Sequence, residues 1–249
     1  MRPLEWCVEE SCNAAWPAHR QVRLGGWRLR LAPGISRRAN SLNPLGPEAG
    51  DVDATAAAAR PLFEDHAQPV LFRVLTPLLD PGVDRRLEAL GFTAEGETRT
   101  LYADLGAAVA KLNSDIECLA HPDDDWFAAM ARLQGHGVQQ AGAYRRVVEA
   151  LAVPAGFLRL AVGDNAVALA YGALRGGLVC CESVITAPPY RGQGCARRLM
   201  QALFHWAGAN SAQGACLQVL ADNGPAKALY ASLGMTAELY RYHYRRAPR

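Results

Sequence analysis

Apolar and polar residues alternate from Gly26 to Ala32, with Trp27, Leu29 and Leu31 set against Arg28 and Arg30. This period of two predicts a strand. A second strand is expected near 39 to 44, after a helix over 3 to 16. The alanine-rich stretch 52 to 63 predicts a helix, and the short apolar run Pro69 to Leu75 a strand. A helix over about 83 to 90 stops at Gly91, a natural C-terminal glycine, and a strand follows from about 94 to 104. After a linker near 110 to 122, Asp123 to Asp125 precede Trp126 and Phe127 and read as helix-capping acids. Two helices are expected over 123 to 151, then strands at about 156 to 162, 166 to 174 and 178 to 186. A helix from 194 to near Gly208, a strand at 215 to 220, a helix at 225 to 233 and a strand at 236 to 246 complete the chain. This alternation predicts the α/β (α+β) class with a mixed sheet.

The pattern also repeats. Ala89-Leu90-Gly91-Phe92-Thr93-Ala94-Glu95 matches Ser232-Leu233-Gly234-Met235-Thr236-Ala237-Glu238 at five of seven positions, an offset of 143 residues (232 − 89). Each copy ends a helix, opens a strand and follows a short apolar strand. Tandem halves are the expectation, with one domain over 1–108 and another over 109–249.

Composition removes several alternatives. The 249 residues are enough to bury a core without metal or disulfide staples. Lys+Arg at 26 nearly balances Asp+Glu at 24, which argues against direct nucleic-acid binding. No run of about 20 apolar residues exists for a membrane span. Seven cysteines without a C-x-x-C pair argue for reduced thiols in a cytoplasmic protein. The histidines have no metal-like spacing, so no metal is expected.

The chemistry gathers at Arg191-Gly192-Gln193-Gly194-Cys195-Ala196, between a strand and a helix. Such glycines either make a bare turn or let successive N–H groups face one point, where the helix dipole favours an anion. A Walker loop would need Gly-Lys-Ser/Thr, and a Rossmann fingerprint a third glycine where Arg197 stands. The stretch resembles the R/Q-x-x-G-x-G/A coenzyme A loop of the GNAT acyltransferase superfamily, with Arg191, Gly194 and Ala196 in the three defining places and Pro188 at the preceding turn. Asn223-x-x-Ala226-x-x-x-Tyr230-x-x-x-Gly234-Met235 resembles that superfamily's second signature, with Met235 replacing the usual Phe. The resemblance covers about 120 to 246. It implies two GNAT-like halves, each with a mixed, mainly antiparallel sheet flanked by helices.

The resemblance further implies direct transfer of acetyl from acetyl-CoA to a primary amine. Arg191, Gly192, Gln193, Gly194, Cys195, Ala196 and Arg197 would hold the diphosphate, although Arg197 and Arg198 read equally as solvated helix surface. Val184, Ile185 and Thr186 would pair with the pantetheine arm, with the Val184 N–H as the donor to the thioester oxygen. Asn223 would either contact the cofactor arm or fix its own turn. Tyr230 would protonate the leaving thiolate, or else serve as a core tyrosine on the stripe of Ala226, Leu229 and Leu233. Period-two alternation places Cys180, Glu182, Val184 and Thr186 on one strand face. Glu182 is the one carboxylate among them: a base, a substrate anchor or a paired structural acid. The position where some superfamily members carry their base aligns better with Cys180.

At the 143-residue offset, Arg191 maps to Glu48, Gly194 to Asp51, Ala196 to Asp53 and Tyr230 to Leu87. Acids repel a diphosphate and leucine has no proton to give, so the first half is expected to be degenerate and to bind no coenzyme A. The expectation is an acetyl-CoA-dependent N-acetyltransferase, monomeric or homodimeric. A non-catalytic acyl-CoA sensor or interaction module is the alternative.

Overall fold

The computed structural model describes residues 2–34, 36–106 and 115–248. The expected boundary between 108 and 109 lies outside the described residues. In chain order the elements are α1 (Leu4–Ala15), β1 (Arg20–Leu24), β2 (Trp27–Leu31), β3 (Ser41–Pro44), α2 (Val52–Glu64), β4 (Leu71–Thr76), α3 (Pro81–Ala89), β5 (Thr93–Asp104), β6 (Ile116–Leu119), α4 (Asp124–Gln134), α5 (Val138–Glu149), β7 (Ala155–Val162), β8 (Asn165–Arg175), β9 (Leu178–Thr186), α6 (Cys195–Ala209), β10 (Gly214–Leu220), α7 (Gly224–Ala231) and β11 (Ala237–Arg246). The fold is mixed α/β. Asp123 caps α4 as expected, accepting from the Trp126 N–H at 2.6 Å. The edge strands β1 and β6 were not expected. No helix among the described residues is long and apolar enough to cross a membrane.

Compactness divides the chain differently from a single cut. One unit, here the α6 unit, comprises Met1–Ala15, Leu101–Leu217 and Gly224–Ala237. The other, the α2 unit, comprises Trp16–Thr100, Gln218–Asn223 and Glu238–Arg249. The α6 unit takes helix α1 from the opposite end of the sequence, and the α2 unit takes strand β11.

In the α6 unit the strand order is β10-β9-β8-β7-β6, with the end of β5 beside β10. β9 and β10 are parallel, and the other ladders from β6 to β9 are antiparallel. Trp126 anchors this core: fully buried, it meets Phe157 edge-on at 5.3 Å and donates to the Leu158 carbonyl. Helix α1 packs on β8 and β9 and is fixed by the buried Tyr171 hydroxyl, which donates to the Ala15 carbonyl at 2.7 Å.

In the α2 unit the order is β1-β2-β3-β4-β11, with the start of β5 beside β11. β3 and β4 are parallel; β11 runs antiparallel to β4 from Arg241–Thr76 to Arg246–Leu71. Trp27 meets Phe72 edge-on at 5.0 Å, and Phe72 meets Phe92 at 5.7 Å. Arg245, almost entirely buried, donates to Asp84 through Nε at 2.7 Å and Nη2 at 3.0 Å.

The internal repeat survives in hydrogen bonds. The Phe92 N–H donates to Leu87 and the Gly91 N–H to Glu88. The Met235 N–H donates to Tyr230 and the Gly234 N–H to Ala231. Gly91 and Gly234 both take the left-handed conformation that ends a helix, at φ 80° and 87°.

Candidate active site

β9 supplies one side of the candidate site. Its first residues pair with β10, Leu178 with Gly214, Val179 with Ala215 and Cys180 with Cys216. Beyond Cys180 the strand continues to Thr186 along β8. The register breaks between the pairs Tyr171–Glu182 and Leu169–Ile185, so Ser183 and Val184 stand opposite the single Ala170. Such a bulge takes backbone groups out of the ladder and re-aims side chains. Ser183 adopts φ 54°, which costs a non-glycine residue about 1–2 kcal/mol. Tyr144 on α5 steadies it, its hydroxyl donating to Ser183 Oγ at 2.9 Å.

The bulge corrects the expected alternation. Directly paired residues share a face, and β8 alternates regularly here. Cys180, Glu182 and Ile185 therefore share the face of Ala173, Tyr171 and Leu169, whereas Thr186 shares the opposite face with Ala168. Period-two counting fails because the bulge inserts one residue. Val184, Ile185 and Thr186 are half-buried.

After Thr186 the chain turns through Pro188–Tyr190, a single 3-10 turn. The Arg191 side chain folds back to donate to the Thr186 carbonyl at 3.2 Å, and the Gln193 amide donates to the Pro189 carbonyl at 2.8 Å. Gly192 and Gly194 have φ of 74° and 79°, and a Cβ built on either would meet nothing within 4 Å. Gly194 is the N-cap of α6 and offers no side-chain acceptor to the first-turn N–H groups. These donors stand at an exposed helix end where the dipole favours negative charge. The loop thus fits a diphosphate.

The remaining residues are placed unevenly. Cys195 is buried and Ala196 half-buried, so their backbones are what the site can use. Arg197 donates to Ser232 Oγ at 2.7 Å, and Arg198 is ion-paired with Asp115. The Asn223 N–H donates to the Leu220 carbonyl at 3.1 Å, closing a turn before α7.

Tyr230 and Glu182 are both nearly buried, at 8% and 5% exposure. Burial, with the Cys181 and Glu182 groups nearby, pushes the Tyr230 hydroxyl well above the usual phenol range. It therefore remains a proton donor throughout neutral pH. Glu182 Oε1 lies 3.7 Å from Cys180 Sγ. The Glu182 charge thus bears on Tyr230, an association that their separation in sequence does not show. Sequence reasoning missed Tyr144 and Ser183. Tyr144 belongs to the buried stripe of α5 with Ala143, Val147 and Val148, and nothing in that pattern reveals its reach to β9.

At the corresponding place in the α2 unit the helix end is occupied. Asp51 is the N-cap of α2 and accepts from the Ala54 N–H at 3.0 Å. Asp53 is bound by Arg86, whose Nε lies 2.8 Å from Oδ2. Leu87 is fully buried.

The chain is similar to known proteins. The family model described as "Probable histone acetyltransferase Rv0428c C-terminal" matches residues 6–245. An uncharacterized N-acetyltransferase, YobR, of Bacillus subtilis is 24% identical over 244 residues, covering 96% of each chain. A GCN5-related N-acetyltransferase from Kribbella flavida superposes with a TM-score of 0.74 at 16% identity, covering 100% of this chain and 98% of its own. A tandem GNAT protein from the clavulanic acid biosynthesis pathway gives 0.67 at 17% identity, covering 97% of this chain and 88% of its own. With the matched family spanning nearly the whole sequence and the fold shared by these acetyltransferases, the chain belongs to the Rv0428c C-terminal acetyltransferase family of the GNAT superfamily.

Proposed function

We propose that the sequence half that carries α6 transfers an acetyl group from acetyl-CoA directly to a primary amine, in the cytoplasm. The observation that carries this reading is the uncapped, glycine-opened N-terminus of α6 at the end of a bulged strand. The backbone N–H groups of that loop bind the diphosphate, with Arg191 adding positive charge. The edge of β9 over Val184, Ile185 and Thr186 aligns the pantetheine arm as an added strand. The bulge presents the Val184 N–H to the thioester oxygen, a contribution typically worth about 3 kcal/mol.

An alkylamine with a pKa near 10.4 is mostly protonated at neutral pH and must lose a proton before it attacks. Glu182 is the group we assign to take it. Tyr230 gives its phenolic proton to the departing thiolate. The first half, with Glu48, Asp51, Asp53 and Leu87 at the matching positions, is a degenerate partner that does not bind coenzyme A.

Calorimetric titration with acetyl-CoA tests the reading. One site per chain is expected, followed by thiol release when an amine panel is added. Two sites would overturn the degenerate-half assignment. Absence of binding would overturn the site itself. Binding without thiol release across amines would favour a sensor.

A further inference from the structure

Three cysteines from distant parts of the sequence meet inside the α6 unit. The Sγ atoms of Cys12 on α1, Cys180 on β9 and Cys216 on β10 all lie within 4.8 Å of one another, and all three residues are buried. The Cys12 and Cys180 sulfurs are 3.6 Å apart. Glu182 Oε1, also buried, is 3.7 Å from the Cys180 sulfur.

These spacings have a simple geometric meaning. Around a tetrahedral ion with metal–sulfur bonds of about 2.3 Å, neighbouring sulfurs stand about 3.8 Å apart. The Cys12–Cys180 separation is already close to that edge, and all three sulfurs lie within 4.8 Å of one another. The electrostatics agree: the Glu9 and Glu182 carboxylates both bear on Cys12, which favours a positive charge among the sulfurs. Soft thiolate donors select zinc-like or monovalent copper ions over magnesium or calcium.

We propose that Cys12, Cys180 and Cys216 form a binding site for a thiophilic divalent cation of the zinc type. Binding forms three metal–sulfur bonds, and the three thiol protons pass to solvent. The ion clips α1 to β9 and β10.

The test uses the full-length chain under reducing conditions, without acyl-CoA or amine, so its failure leaves the transferase reading untouched. Zn2+ is expected to remain bound at one per chain after gel filtration. Co2+ is expected to give the strong charge-transfer absorption of thiolate ligands. Cys12→Ser and Cys216→Ser should each lose the absorption, while Cys118→Ser, at an exposed cysteine, should keep it. Should the core variants fail to fold, the wild type decides alone: its melting temperature should rise with Zn2+ and return on chelation. Zinc retention no greater than that of the Cys12→Ser/Cys216→Ser double variant would overturn the site. So would a wild-type melting temperature indifferent to Zn2+, or a mass lower by two hydrogens with Cys12 and Cys180 recovered in one disulfide-linked peptide.

Discussion

Helices α2 and α6 begin at the same point of the repeat, 143 residues apart, yet their first turns are built in opposite ways. At α2 an aspartate accepts from the Ala54 N–H, and a second aspartate two residues on is held by Arg86. At α6 the cap is a glycine at φ 79° with open space before it. Both ends carry the same backbone dipole. What differs is whether the chain's own carboxylate already uses it. The α2 end commits a first-turn N–H to its own carboxylate and the α6 end does not, without change to the fold. The second contrast is Leu87 against Tyr230: both are buried at the end of a short helix, and only the latter has a proton to transfer.

The sharpest challenge to this contrast is Tyr230→Phe. Removing the hydroxyl while keeping the ring should lower kcat by at least about 100-fold, the usual scale for a positioned proton donor. Acetyl-CoA affinity should stay within about twofold, since binding rests on the loop. Steady-state kinetics with calorimetry reads both, and an unchanged kcat removes Tyr230 from the chemistry. Because the phenol is pushed upward, it stays protonated as pH rises through the neutral range. The wild-type rate should therefore rise with pH as the amine loses its proton, with no fall attributable to Tyr230 below about pH 10.

Next comes Gly194→Asp, which gives α6 the cap of α2. The left-handed backbone costs a non-glycine residue about 1–3 kcal/mol, and the carboxylate competes for the same N–H groups. Acetyl-CoA should bind roughly 30- to 100-fold more weakly. Affinity equal to wild type would mean that the phosphates are held elsewhere.

The reverse exchange, Asp51→Ala, should cost the α2 unit about 1 kcal/mol through loss of the cap. It should create no second acetyl-CoA site, because Asp53 and Leu87 remain. Denaturant unfolding gives the first quantity and calorimetric stoichiometry the second.

The smallest effect is electrostatic. Hydrogen bonds from Arg245, then from His243, hold the Asp84 carboxyl below its ordinary value of 3.8. A group lowered in the folded state stabilises fully above its unfolded pKa and loses that contribution as pH falls through the folded one. Stability of the α2 unit should therefore decline below about pH 4. Asp84→Asn should flatten that decline in acid melts.

Much of this was readable in the sequence because it is local. The glycine loop, the following helix and the Asn-Ala-Tyr-Gly spacing each lie within one or two elements. The duplication was visible because a helix-ending glycine imposes the same short pattern twice. β1 and β6 escaped notice because each terminates its sheet and is paired on one side only. β1, with Arg20 and Arg23 in five residues, is largely exposed and lacks the apolar signal of an interior strand. The bulge at Ser183–Val184 was equally hidden: a period-two pattern assumes an unbroken ladder, and Ser183 does not advertise a positive φ. The meeting of Cys12 with Cys180 spans 168 positions and depends wholly on how α1 docks.

The division of strands has a consequence for synthesis. The ribosome delivers the chain from its N-terminus, and a domain ordinarily folds once its last residue emerges. Here β4 must wait for β11, whose buried Tyr240, Tyr242 and Tyr244 follow it by about 160 residues. Helix α1 likewise precedes the first strand it packs on by about 150 residues. Neither unit can close until residue 237 has left the ribosome. A nascent chain stalled before that point would expose the unpaired flank of β4.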